Sequence, residues 1–226
     1  MRKKCQFKNG YTFNRVINGC WQLSAEHCLQ GHLDYDDAIR AFHELVEQGF
    51  TTFDCADIYT GAEEVLGRFV MDLKGSGHYQ EEDIQIQTKF VPDKDVLPVI
   101  NMKYTEGIVD RSLKRMHREA LDLVQFHWWD FNVPGMMETA FDLVKLQEKG
   151  KIRNIGMCNM DTNALKQMVD AGIPVVSNQA QYSVFDRRPE RTLLDYSAEH
   201  GIYTFAYGTL AGGFLAERYM GKEYEA

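Results

Sequence analysis

Three strand-like runs in this 226-residue chain end in side chains that can hold or move a proton. Thr51-Thr52-Phe53 runs into Asp54, and Tyr59 follows five positions later. Ile84-Gln85-Ile86-Gln87-Thr88 runs into Lys89, and Leu121-Asp122-Leu123-Val124-Gln125-Phe126 runs into His127. A free phenol titrates near ~10 and is a poor acid at neutral pH. A neighbouring ammonium favours the phenolate and draws that value down toward the range of a general acid. Lys89 is the candidate ammonium, Asp54 the group that pairs with it, and His127 the group that hydrogen-bonds and orients a substrate carbonyl. Such a set serves protonation of an oxyanion forming at a carbonyl carbon. If that carbon receives hydride, the reaction is carbonyl reduction.

Taken singly, each residue has a plainer explanation. A tyrosine after a strand usually packs, a lysine or aspartate at a strand end is usually solvated, and a histidine beside Trp128-Trp129 usually sits in a satisfied core. The coincidence at matching ends of successive strands carries the argument, because chemistry collects at the C-terminal ends of strands in a barrel of alternating strands and helices.

The elements that must hold these ends alternate with few breaks. Predicted strands cover Arg15–Leu23, Thr51–Cys55, Ile84–Lys89, Leu121–His127, Ile152–Met157, Val175–Gln181 and Ile202–Tyr207. Predicted helices cover Asp34–Gln48, Glu63–Leu73, Met102–His117, Pro134–Lys149, Thr162–Ala171 and Pro189–His200, with Asp34 or Asp36 as first N-cap and Gly49, Gly150, Gly172 and Gly201 as stops. Gly208–Ala226 carries a Gly-rich turn and room for one more helical piece. Repeated β/α units joined by short turns predict a parallel sheet flanked by helices. No G-x-G-x-x-G turn follows the first strand, which disfavours a doubly wound sheet. A TIM (β/α)8 barrel with about seven of its eight units is the expectation, and no composition shift divides the chain into two domains.

Composition narrows the function classes. A formal charge of −8 disfavours nucleic acid or an anionic membrane as partner, and no apolar run approaches the ~20 residues of a bilayer span. The basic N-terminal stretch lacks an apolar segment behind it, so no signal peptide is expected. The five cysteines include no C-x-x-C pair, so the expectation is a reducing, cytoplasmic setting without disulfides or zinc. His27 and His32 are the one close histidine pair, read as a polar loop rather than a metal site.

Longer motifs resemble those of the aldo-keto reductases, NAD(P)H-dependent carbonyl reductases on a TIM barrel. They are Phe53-Asp54-Cys55-Ala56-Asp57-Ile58-Tyr59 with Glu63, Glu64, Leu66 and Gly67; Thr88-Lys89; and Asp122–His127. Gly150-Lys151-Ile152-Arg153 through Gly156-Met157-Cys158-Asn159, and Asn178-Gln179 with Gln181-Tyr182-Ser183, extend the likeness from about Arg15 to about Leu215. The resemblance implies Tyr59 as proton donor, Lys89 and Asp54 as its tuning pair, and His127 as the carbonyl-orienting residue. It further implies that NADP(H), with NAD(H) not excluded, is held around Gly19, Cys20, Cys158, Asn159, Gln179, Tyr207, Gly208 and Leu210. In that assignment Asn159 and Gln179 hold the nicotinamide carboxamide, Tyr207 stacks on its ring, and the Gly208–Gly213 backbone meets the pyrophosphate. Trp21 and Trp128 would wall the pocket for a small carbonyl substrate.

Departures from the family pattern qualify these expectations. Cys158 stands where the family has serine, and a thiol is the weaker donor. Gly208-Thr209-Leu210 replaces Ser/Thr-Pro-Leu. The family continues into an eighth strand, a basic loop for the adenosine phosphate and a gating loop, so a C-terminally truncated member is the expectation. Two function classes follow: an NADPH-dependent aldehyde or ketone reductase, or a weakly active or inactive member serving as a regulatory subunit like the channel β-subunits. Self-association through the free edges of the first and seventh strands is a further expectation. A sugar-phosphate isomerase needs a carboxylate base and a tight phosphate loop, which this set does not supply.

Overall fold

The computed structural model describes residues 4–25, 34–77 and 79–221. His27, Cys28 and His32 lie outside the described residues. The chain begins with an antiparallel hairpin, β1 (Lys4–Gln6) and β2 (Thr12–Asn14). Seven parallel strands follow in sequence order: β3 (Asn18–Gly19), β4 (Thr52–Asp54), β5 (Gln85–Phe90), β6 (Leu123–His127), β7 (Ile155–Cys158), β8 (Val175–Gln181) and β9 (Tyr203–Tyr207). Between them run helices α1 (Tyr35–Glu47), α2 (Ala62–Ser76), α3 (Met102–Arg115), α4 (Met136–Glu148), α5 (Thr162–Asp170) and α6 (Leu193–His200). This is the (β/α) barrel plan with seven strands described.

Local chemistry explains the element ends. Asp34 caps α1 by accepting from the backbone N–H groups of Asp36 and Asp37, and Asn101 and Asp161 do the same for α3 and α5. Phe53 of β4 points outward between Phe42 of α1 and Phe69 of α2, with centroids 4.9 and 5.3 Å away. Gly67 in α2 lets that helix press against the end of α3, since a Cβ there would collide with the Arg115 carbonyl. Among the described residues no helix is long and apolar enough to cross a membrane.

Three predicted elements need correction. The first strand, expected over Arg15–Leu23, pairs only at Asn18–Gly19, and Trp21–Leu23 forms a 3-10 turn. The sixth helix, expected from Pro189, is a 3-10 turn at Arg188–Arg191 followed by α6, with the break at Thr192. The single helical piece expected after Gly208 is two 3-10 turns, Ala211–Gly213 and Glu217–Tyr219.

The hairpin was not anticipated, and it closes the N-terminal end of the barrel. Phe7 and Phe13 are buried and pack with Leu123 of β6 and Phe205 of β9, which brings distant strands of the sheet to one cluster. The Phe13 ring stands 4.7 Å from Phe7 and 5.2 Å from both Tyr203 and Phe205. On the opposite side Asn14, also buried, accepts from the Thr51 N–H at 2.6 Å and receives the Thr52 hydroxyl at 3.1 Å. The Tyr203 hydroxyl reaches the Gln6 carbonyl at 2.9 Å. The floor is therefore packed by aromatic rings at β9, with one hydrogen bond from Tyr203, and held by side-chain hydrogen bonds at β4. Replacing Phe13 by Ala is expected to cost ~3–5 kcal/mol in denaturant unfolding. A loss well under ~1 kcal/mol would mean that the hairpin is not part of the cooperative structure.

Candidate active site

The parallel register brings the acidic and basic strand ends together. Gly19 pairs with Asp54, Asp54 with Gln87, and Lys89 with Gln125. Side chains alternate across a strand, so Thr52 and Asp54 share the inner face, as do Gln87 with Lys89 and Gln125 with His127. Lys89 Nζ lies 2.6 Å from Asp54 Oδ2 and donates to the Cys55 carbonyl at 2.8 Å. The two side chains are only 5% and 13% exposed, so the ion pair stands in a low-dielectric setting. Burial alone would strip the Lys89 charge, but Asp54, followed by Tyr59 and Cys158, outweighs it and holds the ammonium well above its usual range.

Tyr59 sits in the turn between β4 and α2, where its N–H donates to Ala56 and its carbonyl accepts from Ala62, both at 3.0 Å. Lys89 Nζ is 5.1 Å from the ring centroid. Burial pushes the Tyr59 phenol up, Lys89 pulls it down and Asp54 pushes it up again, with a net rise. The expectation of a lowered phenol is therefore corrected: desolvation outweighs the lysine. The phenol holds its proton at neutral pH, and the nearby ammonium favours the phenolate form.

His127 ends β6 with Nδ1 at 3.1 Å from the Cys158 carbonyl. A carbonyl only accepts, so that contact assigns the proton to Nδ1. Burial lowers the His127 pKa, the Cys158 bond opposes this, and Lys89 and Lys94 lower it further. The ring is therefore neutral at pH 7, and Nε2, buried without a protein partner, carries a lone pair. In this tautomer Nε2 accepts, as from a hydroxyl; donation from Nε2 to a carbonyl requires the proton to sit there instead.

The expectation that Trp128 walls the pocket is corrected. Trp128, at 2% exposure, belongs to the core; its indole donates to the Val133 carbonyl at 3.2 Å and its ring packs on Phe126. Trp129 stands edge-on to His127 with centroids 4.6 Å apart, is 43% exposed, and carries Lys94 over its ring. Strand parity carries the missed signal, because residues 127 and 129 share a face and residue 128 does not. Trp21 is exposed on the turn that follows β3.

The residues proposed for a cofactor fall at the same barrel end. Cys20 is buried directly after Gly19, and its N–H donates to the Asp54 carbonyl at 2.8 Å. Cys158 is buried beside Lys89, and desolvation carries its thiol to about 11 against the pull of that lysine. Asn159 follows with φ of 57°, a left-handed conformation that costs a non-glycine residue energy. Its N–H donates to the Gln179 carbonyl at 2.7 Å, and its side-chain oxygen accepts from the Tyr207 hydroxyl at 3.1 Å. The Tyr207 ring is half-exposed, Leu210 is exposed, and Gly208 and Gly212–Gly213 turn with positive φ. A cavity of about 560 Å³ opens between β3 and β9, reaching from Phe13 on the floor to Asp54, Gln179, Tyr207 and Gly208. A carboxamide needs donors and acceptors beside a flat ring face, and Asn159, Gln179 and Tyr207 offer both.

A group missed in the sequence is Asp57. It is buried, accepts from the Val91 N–H at 3.0 Å, and lies 3.6 Å from Arg111 of α3. Arg115 of α3 donates to its carbonyl and to buried Glu63, which also receives the Thr88 hydroxyl. Burial, then the Glu63 charge, carries the Asp57 carboxyl from 3.8 to about 7 against the Val91 bond and both arginines. Below about pH 3.8 the carboxyl is protonated in both folded and unfolded chains. As pH rises from there to about 7, the unfolded chain releases a proton that the folded one keeps, and the stability this group contributes is lost. Relative to Asp57→Asn, the parent chain should lose ~1 kcal/mol per pH unit across that window in urea unfolding. Parallel curves for the two proteins would contradict the assignment.

Comparison with known proteins matches this geometry. Residues 15–225 fit the model of the Aldo/keto reductase family. The chain is 29% identical over 220 residues to the aldo-keto reductase YhdN of Bacillus subtilis, covering 95% of this chain and 63% of that protein. It is 28% identical over 209 residues to the methylglyoxal reductase DkgA of Escherichia coli, covering 92% of this chain and 67% of the relative. The chain thus spans less than two thirds of the Bacillus protein's length. An aldo-keto reductase from Klebsiella pneumoniae, solved in complex with NADPH, superposes with a TM-score of 0.78 at 25% identity, covering 96% of this chain and 71% of the other. With the strand ends, the barrel and the family match in agreement, the chain belongs to the aldo/keto reductase family.

Proposed function

We propose that this chain reduces aldehydes or ketones to alcohols, with Tyr59 as proton donor. The observation that carries the reading is the buried Lys89–Asp54 pair at 2.6 Å, set beneath the ring of Tyr59. NADP(H) is the proposed cofactor, supported by the Klebsiella neighbour solved with NADPH and by the carboxamide-sized group of polar side chains at β7 and β8. When bound it supplies the hydride. Asn159 and Gln179 would hold the carboxamide, Tyr207 would pack on the ring, and Gly19, Cys20, Cys158, Gly208 and Leu210 would border it.

The chain's own residues account for the proton. As hydride reaches the carbonyl carbon, negative charge develops on the oxygen, and the Tyr59 O–H donates its proton there. The phenolate left behind faces Lys89, whose charge Asp54 maintains, so the anion is stabilised where it forms. His127, neutral with Nε2 as acceptor, suits the hydroxyl of the product alcohol or a hydroxyl beside the carbonyl. Trp129 and Trp21 border the substrate; the relative named a methylglyoxal reductase agrees with a small carbonyl compound.

The test is quenching of intrinsic fluorescence by NADPH, followed by turnover of an aldehyde panel. The 226-residue chain is expected to bind and to turn over, and Tyr59→Phe to bind equally while kcat drops ~10²-fold or more. Full turnover by Tyr59→Phe would remove Tyr59 from the mechanism. Binding without any turnover would favour the regulatory-subunit reading instead.

A further inference from the structure

The carboxylate of Asp54 has two oxygens, and Lys89 uses only one. The other, Oδ1, receives Nε2 of Gln125 at 2.6 Å, a contact between residues 71 positions apart in the chain. Gln125 is fully buried on β6, opposite Lys89 in the register and two residues before His127 on the same inward face. Its side chain must cross the inner face of β5 to reach Asp54 on β4. Gly156, its neighbour on β7, leaves the space: a Cβ there would stand 3.3 Å from Gln125 Cγ and closer still to the Ser177 hydroxyl. The orientation of the amide is settled by its partner. An ionised carboxylate only accepts, so the NH2 end faces Asp54, and Oε1 is left buried without a protein partner. Leaving that oxygen unsatisfied disfavours a glutamine here unless its other end does something an apolar residue does not.

We propose that Gln125 is a positioning residue, which fixes the Asp54 carboxylate so that its other oxygen holds the Lys89 ammonium beside Tyr59. The inference rests on the proposed proton-donor role of Tyr59, although the Gln125–Asp54 contact stands without it. The amide supplies a donor whose reach spans from β6 past β5 to β4 and which adds no charge. An apolar side chain would leave Oδ1 without this donor on a carboxylate that is only 13% exposed, and the carboxylate would be free to rotate away from Lys89. The other titratable groups around the pair are Tyr59 and Cys158, which act on Lys89, and His127, on which Lys89 acts.

Two substitutions separate this role from mere packing. Gln125→Leu keeps the volume and removes the donor; kcat for an aldehyde should fall ~10-fold or more with KM little changed, as for a group acting only in the transition state. Gln125→Glu keeps the reach and makes the donor titratable. While its carboxyl is protonated it donates to Asp54 as the amide does, and once ionised it repels Asp54 and frees Lys89. Its rate should therefore match the parent at low pH and fall ~10-fold per unit above the new group's pKa, a limb the parent lacks. Thermal unfolding of the same variants needs no turnover. The melting temperature of Gln125→Glu should drop with rising pH relative to the parent, and adding Asp54→Asn should remove most of that dependence. If the parent chain turns over no aldehyde, the reductase reading fails while the unfolding comparison still decides the contact. Gln125→Leu with parental kcat, or a Gln125→Glu pH dependence unchanged by Asp54→Asn, would overturn the proposal.

Discussion

The ion pair between Lys89 and Asp54 is the constraint around which the barrel end is arranged. Burying two charges costs several kcal/mol per ion before any attraction is counted, so such a pair survives only when geometry and further hydrogen bonds are close to ideal. Both conditions are met here by backbone placement. The β4–β5 register sets the two residues on one inner face, the Cys55 carbonyl takes a second proton of the ammonium, and the Gln125 amide takes the second oxygen of the carboxylate. Because a buried ion pair is weak evidence for stability, its retention points to what it does for the neighbouring phenol.

The same low dielectric decides the protonation of everything around it. Tyr59 keeps its proton because burial outweighs the lysine, His127 stays neutral because burial and two lysines outweigh its bond to Cys158, and the Cys158 thiol stays protonated. The Lys89–Asp54 pair therefore faces neutral donors and acceptors. A site of that kind has little charge to reorganise until negative charge forms on a bound oxygen, and the ammonium then has something to stabilise. Asp57 extends the arrangement outward. Its backbone N–H reaches Lys89 and its carboxylate reaches Val91, so the segment carrying Tyr59 stays paired with the strand end carrying Lys89.

The repeat of strands and helices was legible in the sequence because hydrophobic periods and glycine stops act locally. The grouping of Asp54, Tyr59, Lys89 and His127 was legible because parallel strands in sequential order align their ends. What escaped depends on partners distant in sequence. The hairpin strands are three residues each and draw their stability from Phe205, Tyr203 and Thr52, none of which is near them in the chain. The first parallel strand shrank to Asn18–Gly19, with one last ladder bond from the Cys20 N–H to Asp54 before the chain coils at Trp21. Trp128 and Trp129 differ only by strand parity, and Gln125 shares the parity of His127. Asp57 looked like loop punctuation; its partners Val91, Arg111 and Arg115 are 34 or more positions away.

The two halves of the site differ in how firmly they are held. Asp54, Lys89, Gln125 and Cys158 are packed and hydrogen-bonded across four adjacent strands, whereas Tyr207, Gly208 and Thr209 at the end of β9 border, with one edge of Asp54, an open cavity of about 560 Å³. Side chains that must hold a fixed geometry are placed best on strands locked by neighbours. A ligand that must enter and leave needs loops whose local opening costs little free energy. The link between the halves is Asn159: its strained backbone joins β7 to Gln179 of β8, and its side chain takes the Tyr207 hydroxyl. Strain of this kind persists only where surrounding contacts over-determine it, and here those contacts join the rigid wall that carries Cys158 to the open wall that carries Tyr207.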